Sequence, residues 1–477
     1  MGKTDKIVYL MIVILSVILF LIFKKNSLIP LIILNLAASG LFVFRTVRKD
    51  LFSMGILLLL NYCVYVLYIP IKQINKSYSV KGYALATYRL LGTRILLVCG
   101  VIAIVSFIFG YYAFSNLRVK KIWRPGLERA ISAIIALVNK IKNSKMGFLF
   151  TGKNFSDVLM AAGTILLLYG VYKQGGLSYL LSKYVWNSAD LESVGIMTTG
   201  VQVAYVGVAI SLYLFCDRKI DRLRDFLKWD GLYFSMLLTM VKLIQGGRIQ
   251  ILMGFLTLLS IYHYKYRRFR IREVSAAGAI GYVLFGYIGY FRDYKTLIPN
   301  NFGTMVNYML GGSGGLEYFL NSYTNFTMMQ IISTHKISYL WGASLLDGIL
   351  FLIPRFLLPN KEQLLFVTKK LDELNKIKVV SPVGGLNLAA QNLMNGYVVY
   401  TIIFMFLLGG FTIYMAKKRD SIKDGVLLYS LVLPFLVVSL VRNPIFYTIK
   451  ELIQFAVIPF IIFRLLQHGG QNVKDNI

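Results

Sequence analysis

The sequence Lys242-Leu-Ile-Gln-Gly-Gly-Arg248 carries two cations about a turn and a half of helix apart, separated by a glycine pair. Lys242 lies inside an apolar run, where an ionisable side chain is expensive and marks a function by default. The plainer alternative is that its ammonium, like the Arg248 guanidinium, snorkels to lipid headgroups. Arg292 with Asp293 and Arg442 with Asn443 are further polar pairs at the ends of apolar runs, and Lys450 adjoins Glu451. A guanidinium is always charged and holds two oxygens of a phosphate at once, so several on one face make a seat for a lipid diphosphate. Singly, each reads as an interfacial anchor.

Proton acceptors for such chemistry are few. Asp293, Glu317 and His335 are the candidates, with Asp347 as a further carboxylate. His263 and His468 fall on the opposite side of the predicted membrane. Cysteine and histidine spacings give no metal set, and Gly311-Gly312-Ser313-Gly314-Gly315 lacks the Lys-Ser/Thr pair of a phosphate loop, reading as a hinge. No cofactor is expected. Substrate-binding residues are expected at Lys242, Gly246, Gly247, Arg442 and Asn443, and catalytic ones among Arg248, Arg292, Asp293, Glu317 and His335.

These residues must be held by membrane helices. Hydrophobic residues make up 57% of the chain, mean hydropathy is +0.64, and the apolar residues come in blocks of the length a bilayer needs. We place spans at Ile7 to Phe23, Leu28 to Phe44, Leu51 to Pro70, Ile95 to Phe114, Phe155 to Tyr172 and Gly195 to Cys216. A second set follows at Leu232 to Gln245, Ile249 to Tyr262, Ser275 to Phe291, Gly396 to Met415, Gly425 to Leu440 and Ile445 to Phe463. The first run, flanked by Lys3, Lys6, Lys24 and Lys25, reads as a retained signal anchor. The fold class is therefore an all-α polytopic membrane protein of about 12 transmembrane helices.

Lysine and arginine favour the side that holds both termini and the runs Arg118 to Lys153, Arg218 to Lys228, Lys265 to Arg272 and Lys417 to Lys423. That side is cytoplasmic by the positive-inside rule, giving an N-in, C-in chain. The net charge of +31 then faces anionic headgroups rather than nucleic acid. Ile131 to Lys142 reads as an interfacial helix.

Residues 1–291 are expected to form a first membrane bundle, 292–395 a long extracytoplasmic loop or lid, and 396–477 the last spans and a tail. In the loop, Leu364, Val367, Leu371, Leu374 and Ile377 mark an amphipathic helix ended by Ser381-Pro382. Leu345 to Leu358 is apolar but broken by Asp347, Pro354 and Arg355, which suits a re-entrant or interfacial segment; were it to span, the topology beyond it would invert.

Three short motifs give a resemblance to the Wzy-type oligosaccharide repeat-unit polymerases of bacterial O-antigen, capsule and exopolysaccharide synthesis. Gly246-Gly247-Arg248 is similar to the family's turn between two spans, and Gly175-Gly176-Leu177 with Tyr179-Leu180 to an earlier outer loop. Gln391-Asn392 to Gly396, leading to Gly409-Gly410, is similar to its exit from the large loop. Arg292 with Gly303 matches an Arg-to-Gly spacing found in some members. The resemblance implies a glycosyltransferase in the bacterial cytoplasmic membrane, acting on an undecaprenyl-diphosphate-linked oligosaccharide, with a flippase and a chain-length regulator as partners. Rival readings are a flippase for the same lipid and an O-antigen ligase-type transferase.

Overall fold

The computed structural model describes the chain except residues 1–2, 23–27, 48–49, 75–78, 81–82, 85–89, 117–150, 177–190, 218–222, 246, 295–302, 304–315, 354–356, 359, 378–385 and 472–477. The predicted helix Ile131 to Lys142, the glycine run 311–315, Gly246 and Ser381-Pro382 lie outside the described residues.

The described chain is helical apart from one antiparallel pairing of Ser79–Val80 with Tyr83–Ala84. Among the described residues eight helices are long and apolar enough to cross a membrane. In lipid a backbone must satisfy its own polar groups, and unbroken apolar sequence does so as helix. The first of them, α1 (Lys3–Ile22), turns Ile7, Leu10, Met11, Ile14, Ile18 and Leu21 outward, an apolar face that lipid covers. Length and composition thus make the chain a multi-pass membrane protein.

The residues group into two compact units that interleave along the sequence. The first comprises Met1–Leu117, Val306–Lys417 and Phe435–Glu451. It holds α1, α2 (Leu28–Val47), α3 (Met54–Ile74) and α4 (Leu90–Asn116). Buried Asn35 ties α2 to α4, donating to the carbonyls of Leu31 at 2.8 Å and Leu97 at 3.0 Å. Arg94, inside α4, donates to the Phe20 carbonyl and lies over the Phe20 ring, a cation against the last turn of α1.

The same unit holds α10 (Leu316–Thr334), α11 (Ala343–Leu352), α12 (Phe366–Asn375) and most of α13 (Leu388–Ser421). At ten residues α11 extends about 15 Å, half the thickness of a bilayer core. The amphipathic helix starts at Phe366 rather than Leu364. Its start is set from outside: the fully buried Asp347 of α11 accepts the amides of Phe366 and Val367, each at 2.9 Å. A carboxylate on two free amides at a positive helix end fixes the first turn there. Lys361 does the converse, donating to the carbonyls of Phe351 at 3.1 Å and Ile353 at 2.6 Å where α11 ends.

The second unit comprises Arg118–Met305, Lys418–Pro434 and Leu452–Ile477. It holds α5 (Gly152–Lys173), α6 (Leu191–Phe215), α7 (Asp230–Gln245), α8 (Arg248–Ile261), α9 (Ile271–Tyr294), α14 (Gly425–Pro434) and α16 (Ile458–Gln471). Helices α5 and α6 touch backbone to backbone: a Cβ on Gly200 would stand 2.6 Å from the Leu167 nitrogen, and one on Gly207 2.7 Å from the Met160 nitrogen. Small residues permit such approach where helices have no hydrophobic drive to associate in lipid. The motif Gly175-Gly176 has a local cause as well, since both glycines take positive φ (108° and 70°) to end α5.

The basic run after α8 is partly neutralised within the chain. Lys265 pairs with Asp217 at 2.6 Å and Arg267 with Glu273 at 2.5 Å. Glu273 also accepts the Arg270 amide at 2.9 Å, and that bond together with Arg267 holds its carboxyl below the usual range. The arrangement starts α9 as a capping box does.

Candidate functional site

Of the expected residues, Lys242, Gly247, Arg248, Arg292 and Asp293 belong to the second unit, and Glu317, His335, Arg442 and Asn443 to the first. Arg292 and Asp293 fall in the last turn of α9, and Glu317 in the first turn of α10.

In the second unit the α7–α8 turn is tight. The Gly247 amide donates to the Lys242 carbonyl at 2.8 Å, closing α7, and Arg248 opens α8. A Cβ at Gly247 would stand 3.0 Å from the Lys242 Cδ and 3.1 Å from the Gln250 Oε1. Glycine therefore lets the buried lysine stem lie against the turn, only 5% exposed, with half-buried Arg248 beside it. Lys242 thus stands at the end of α7 and Arg248 at the start of α8, on either side of one turn.

In the first unit His335 is exposed just past α10, its Nδ1 2.7 Å from the hydroxyl of neighbouring Thr334. Asp347, the other acid considered, is committed to capping α12. Arg442 and Asn443, by contrast, sit on a built site. Helix α14 continues through a π-helical turn, Phe435–Ser439, into Leu440–Arg442; the chain turns at Asn443-Pro444 and returns as α15 (Ile445–Leu452). The π turn puts Ser439 opposite α15. Its hydroxyl lies 3.1 Å from the Thr448 hydroxyl, donates to the Glu451 carboxylate at 2.5 Å and accepts from the Asn443 amide at 3.2 Å.

Ser439 and Thr448 are each 1% exposed and Glu451 5%. A buried carboxylate persists only where hydrogen bonds and countercharge hold it. Here the Ser439 hydroxyl supplies such a hydrogen bond to Glu451. The Lys450 ammonium lies 5.0 Å from the Phe351 ring centroid and the Lys361 ammonium 4.7 Å from the same centroid. No family model, curated protein or solved structure matches this chain. The reading of the site rests on its own chemistry.

A third part of the site comes from α13, which is two helices. At Gly396 and Tyr397 the backbone leaves helical geometry, Tyr397 taking φ 54°. The freed carbonyls of Met394 and Asn395 accept the amides of Leu340 at 3.2 Å and Trp341 at 2.6 Å. Trp341 itself takes φ 48°. Two non-glycine residues in the left-handed region facing one break are strain of the kind that gathers at functional sites. The half-helix Leu388–Asn395 is buried along its length, and its Gln391 Oε1 accepts the Ile445 amide at 2.8 Å, joining it to the Arg442–Glu451 hairpin.

Arg442 and Asn443 are among the residues expected from the sequence; Glu451, which adjoins Lys450, is not among the expected proton acceptors. A usable signal was present. Ser439, Asn443, Thr448 and Glu451 recur at helical spacing on both sides of Pro444. Among the described residues no three His, Cys, Asp or Glu side chains gather as metal ligands. The arrangement offers a carboxylate that can take a proton and cations that can face an anion.

Proposed function

We propose that the protein polymerises undecaprenyl-diphosphate-linked oligosaccharide repeat units at the outer face of a bacterial cytoplasmic membrane. The observation that carries this reading is the chain on one hairpin in which Ser439 links the buried Glu451 carboxylate to Asn443, the residue next to Arg442. In the reaction an acceptor hydroxyl oxygen bonds to the donor's anomeric carbon. The bond from that carbon to the diphosphate oxygen breaks, and the diphosphate departs with the electron pair. Glu451 takes the hydroxyl proton as general base, and Arg442 faces the charge developing on the diphosphate. Such fixed donors act most strongly where water is excluded. The α7–α8 turn, with Lys242, Gly246, Gly247 and Arg248, is a second anion seat by its own composition and by the resemblance noted above.

The topology that goes with this reading has twelve spans and both termini inside. Beyond the eight long apolar helices, it takes α7, α8, α9 and the continuous helix from Ile445 to Gln471 across the membrane. The 14 residues of α8 gain a further π-helical turn, Tyr262–Tyr266, which brings the rod to about 28 Å. Arg442, Asn443 and the segment α11–α12 then share the outer side. A flippase and a chain-length regulator are the expected partners.

The test is a glycan ladder formed in vitro by the purified protein from lipid-diphosphate-linked repeat units. Wild type should yield a ladder, and Glu451→Gln should reduce its rate by about 100-fold or more while the protein still folds. A full ladder from Glu451→Gln would refute the base. Arg442→Ala and Arg248→Ala, assayed separately, show which turn holds the diphosphate. The broken helix α13 favours a second reading, a flippase for the same lipid, since transporters place substrates at such breaks. Substrate crossing a vesicle bilayer with no ladder would select it.

A further inference from the structure

The half-helix Leu388–Asn395 carries polar side chains that the site described above does not use. Every residue from Leu388 to Gly396 is buried. Asn387 caps it, its Oδ1 accepting the Ala390 amide at 3.0 Å and its Nδ2 donating to Thr324 at 3.1 Å. Asn395 is equally occupied: its Oδ1 accepts from Ser344 at 2.9 Å and from the Gly342 amide at 3.2 Å, and its Nδ2 donates to the Gln391 carbonyl at 2.8 Å. Gln391 and Asn392 differ. The Ile445 amide fixes which end of the Gln391 carboxamide is oxygen, so its enclosed Nε2 is a donor, and among the described residues it meets no acceptor. The Asn392 carboxamide likewise has an enclosed end, its Nδ2, without a partner among the described residues, and both side chains belong to residues 2% exposed.

A third orphan lies on α10. Asn325, next to the Thr324 that holds the half-helix cap, gives its Nδ2 to the Tyr65 carbonyl at 3.2 Å and leaves its Oδ1 without a donor among the described residues. Buried polar atoms without partners are costly, and native proteins keep few of them without reason. An apolar ligand would satisfy none of the three. A phosphate would satisfy the two donors and leave the acceptor empty. A hydroxyl both gives and accepts, so the complement to this set is a polyhydroxylated ligand.

We propose that the half-helix is a sugar-recognition element, with the Gln391 Nε2 and Asn392 Nδ2 donating to, and the Asn325 Oδ1 accepting from, the acceptor repeat unit. The inference rests on the reading that lipid-linked glycan is the substrate. It accounts for the break at Gly396–Tyr397, which lets eight residues of a membrane-length helix turn all their faces inward. It also accounts for the Gln391 bond to Ile445, which holds the sugar contacts beside Arg442 and Glu451.

The test uses the full chain in lipid nanodiscs and two probes: undecaprenyl diphosphate without sugar, and undecaprenyl-diphosphate-linked oligosaccharides extracted from the source cells. Asn392→Asp keeps the shape and replaces the donor, and Gln391→Glu does the same one residue earlier. The expected result is that each variant binds the sugar-bearing probe about 3- to 10-fold more weakly and the bare diphosphate as wild type does. Variants that bind both probes as wild type does, or lose both equally, would overturn the proposal, the orphan amides then serving packing or water only. Wild type binding the two probes alike would overturn the sugar subsite and leave the polymerase reading standing. Wild type binding neither would remove both.

Discussion

Replacing Asp347 with alanine should unfasten α12 and leave the membrane helices in place. The carboxylate accepts two amides, and their surroundings differ. The Val367 residue is 1% exposed, so its amide would stay enclosed and unpaired, at a cost of about 1–3 kcal/mol. Phe366 is 44% exposed, and water can take over its amide, so that loss is closer to that of an ordinary helix cap, about 1 kcal/mol. The sum, about 2–4 kcal/mol, should appear as faster local opening rather than global unfolding. Hydrogen exchange followed by mass spectrometry would then show peptides over Phe366–Asn375 exchanging roughly 30- to 700-fold faster, with α10 and α13 unchanged. Unchanged protection over α12, or an equal loss everywhere, would refute the view that this carboxylate is what starts the helix.

The same group gives a pH dependence. Burial pushes the Asp347 carboxyl above its ordinary value, against the Val367 and Phe366 amides and Lys369, which pull it down. Because the folded state then binds the proton more tightly, its contribution is present below the ordinary aspartate range and is lost as pH rises from that range through the raised value. Denaturation midpoints of wild type should fall across that window more steeply than those of Asp347→Asn. Gly200→Leu should prevent α5 and α6 from closing, since its Cβ alone would meet backbone atoms of Leu167 and Gly163 at 2.6 and 2.7 Å. A loss of about 1–3 kcal/mol or failure to fold is expected, read by size-exclusion chromatography in detergent. Arg442→Lys should lower glycan synthesis by about 10-fold or more with folding intact, because an ammonium cannot pair two phosphate oxygens as a fork. An unchanged rate would leave Arg442 a helix-end anchor.

The long apolar runs were legible as helices because length and composition alone decide that point in lipid. The turn Lys242 to Arg248 was legible for a related reason: a charge inside an apolar run and a glycine pair are both local signals. What escaped were partnerships across distance. Nothing in the spacing of Leu364 to Ile377 says that the helix begins at Phe366, because the group that starts it, Asp347, lies 19 residues earlier. Likewise Glu451 looks like half of a surface pair until the Asn443-Pro444 turn folds Ser439 onto it. The break in α13 hid in a stretch whose hydropathy continues without interruption from Gly396 into the following span.

Backbone irregularity and side-chain polarity in the first unit have one physical origin. A π turn or a helix break exposes carbonyls that an apolar surrounding cannot satisfy. At the turn Phe435–Ser439 the Val437 carbonyl accepts the Asn61 side chain at 2.6 Å, and at the break in α13 the Met394 and Asn395 carbonyls accept amides from the segment before α11. Each irregular turn thus requires donors from another element, and those donors fix that element's position. Ser439 is the last residue of one such turn and Asn395 stands at the edge of the other, so the hydrogen bonds that make the turns tolerable also hold the groups facing Glu451 and Gln391. A variant that straightens either turn should therefore lose the site before it loses the fold, because the apolar packing of α2, α3 and α4 does not depend on these bonds.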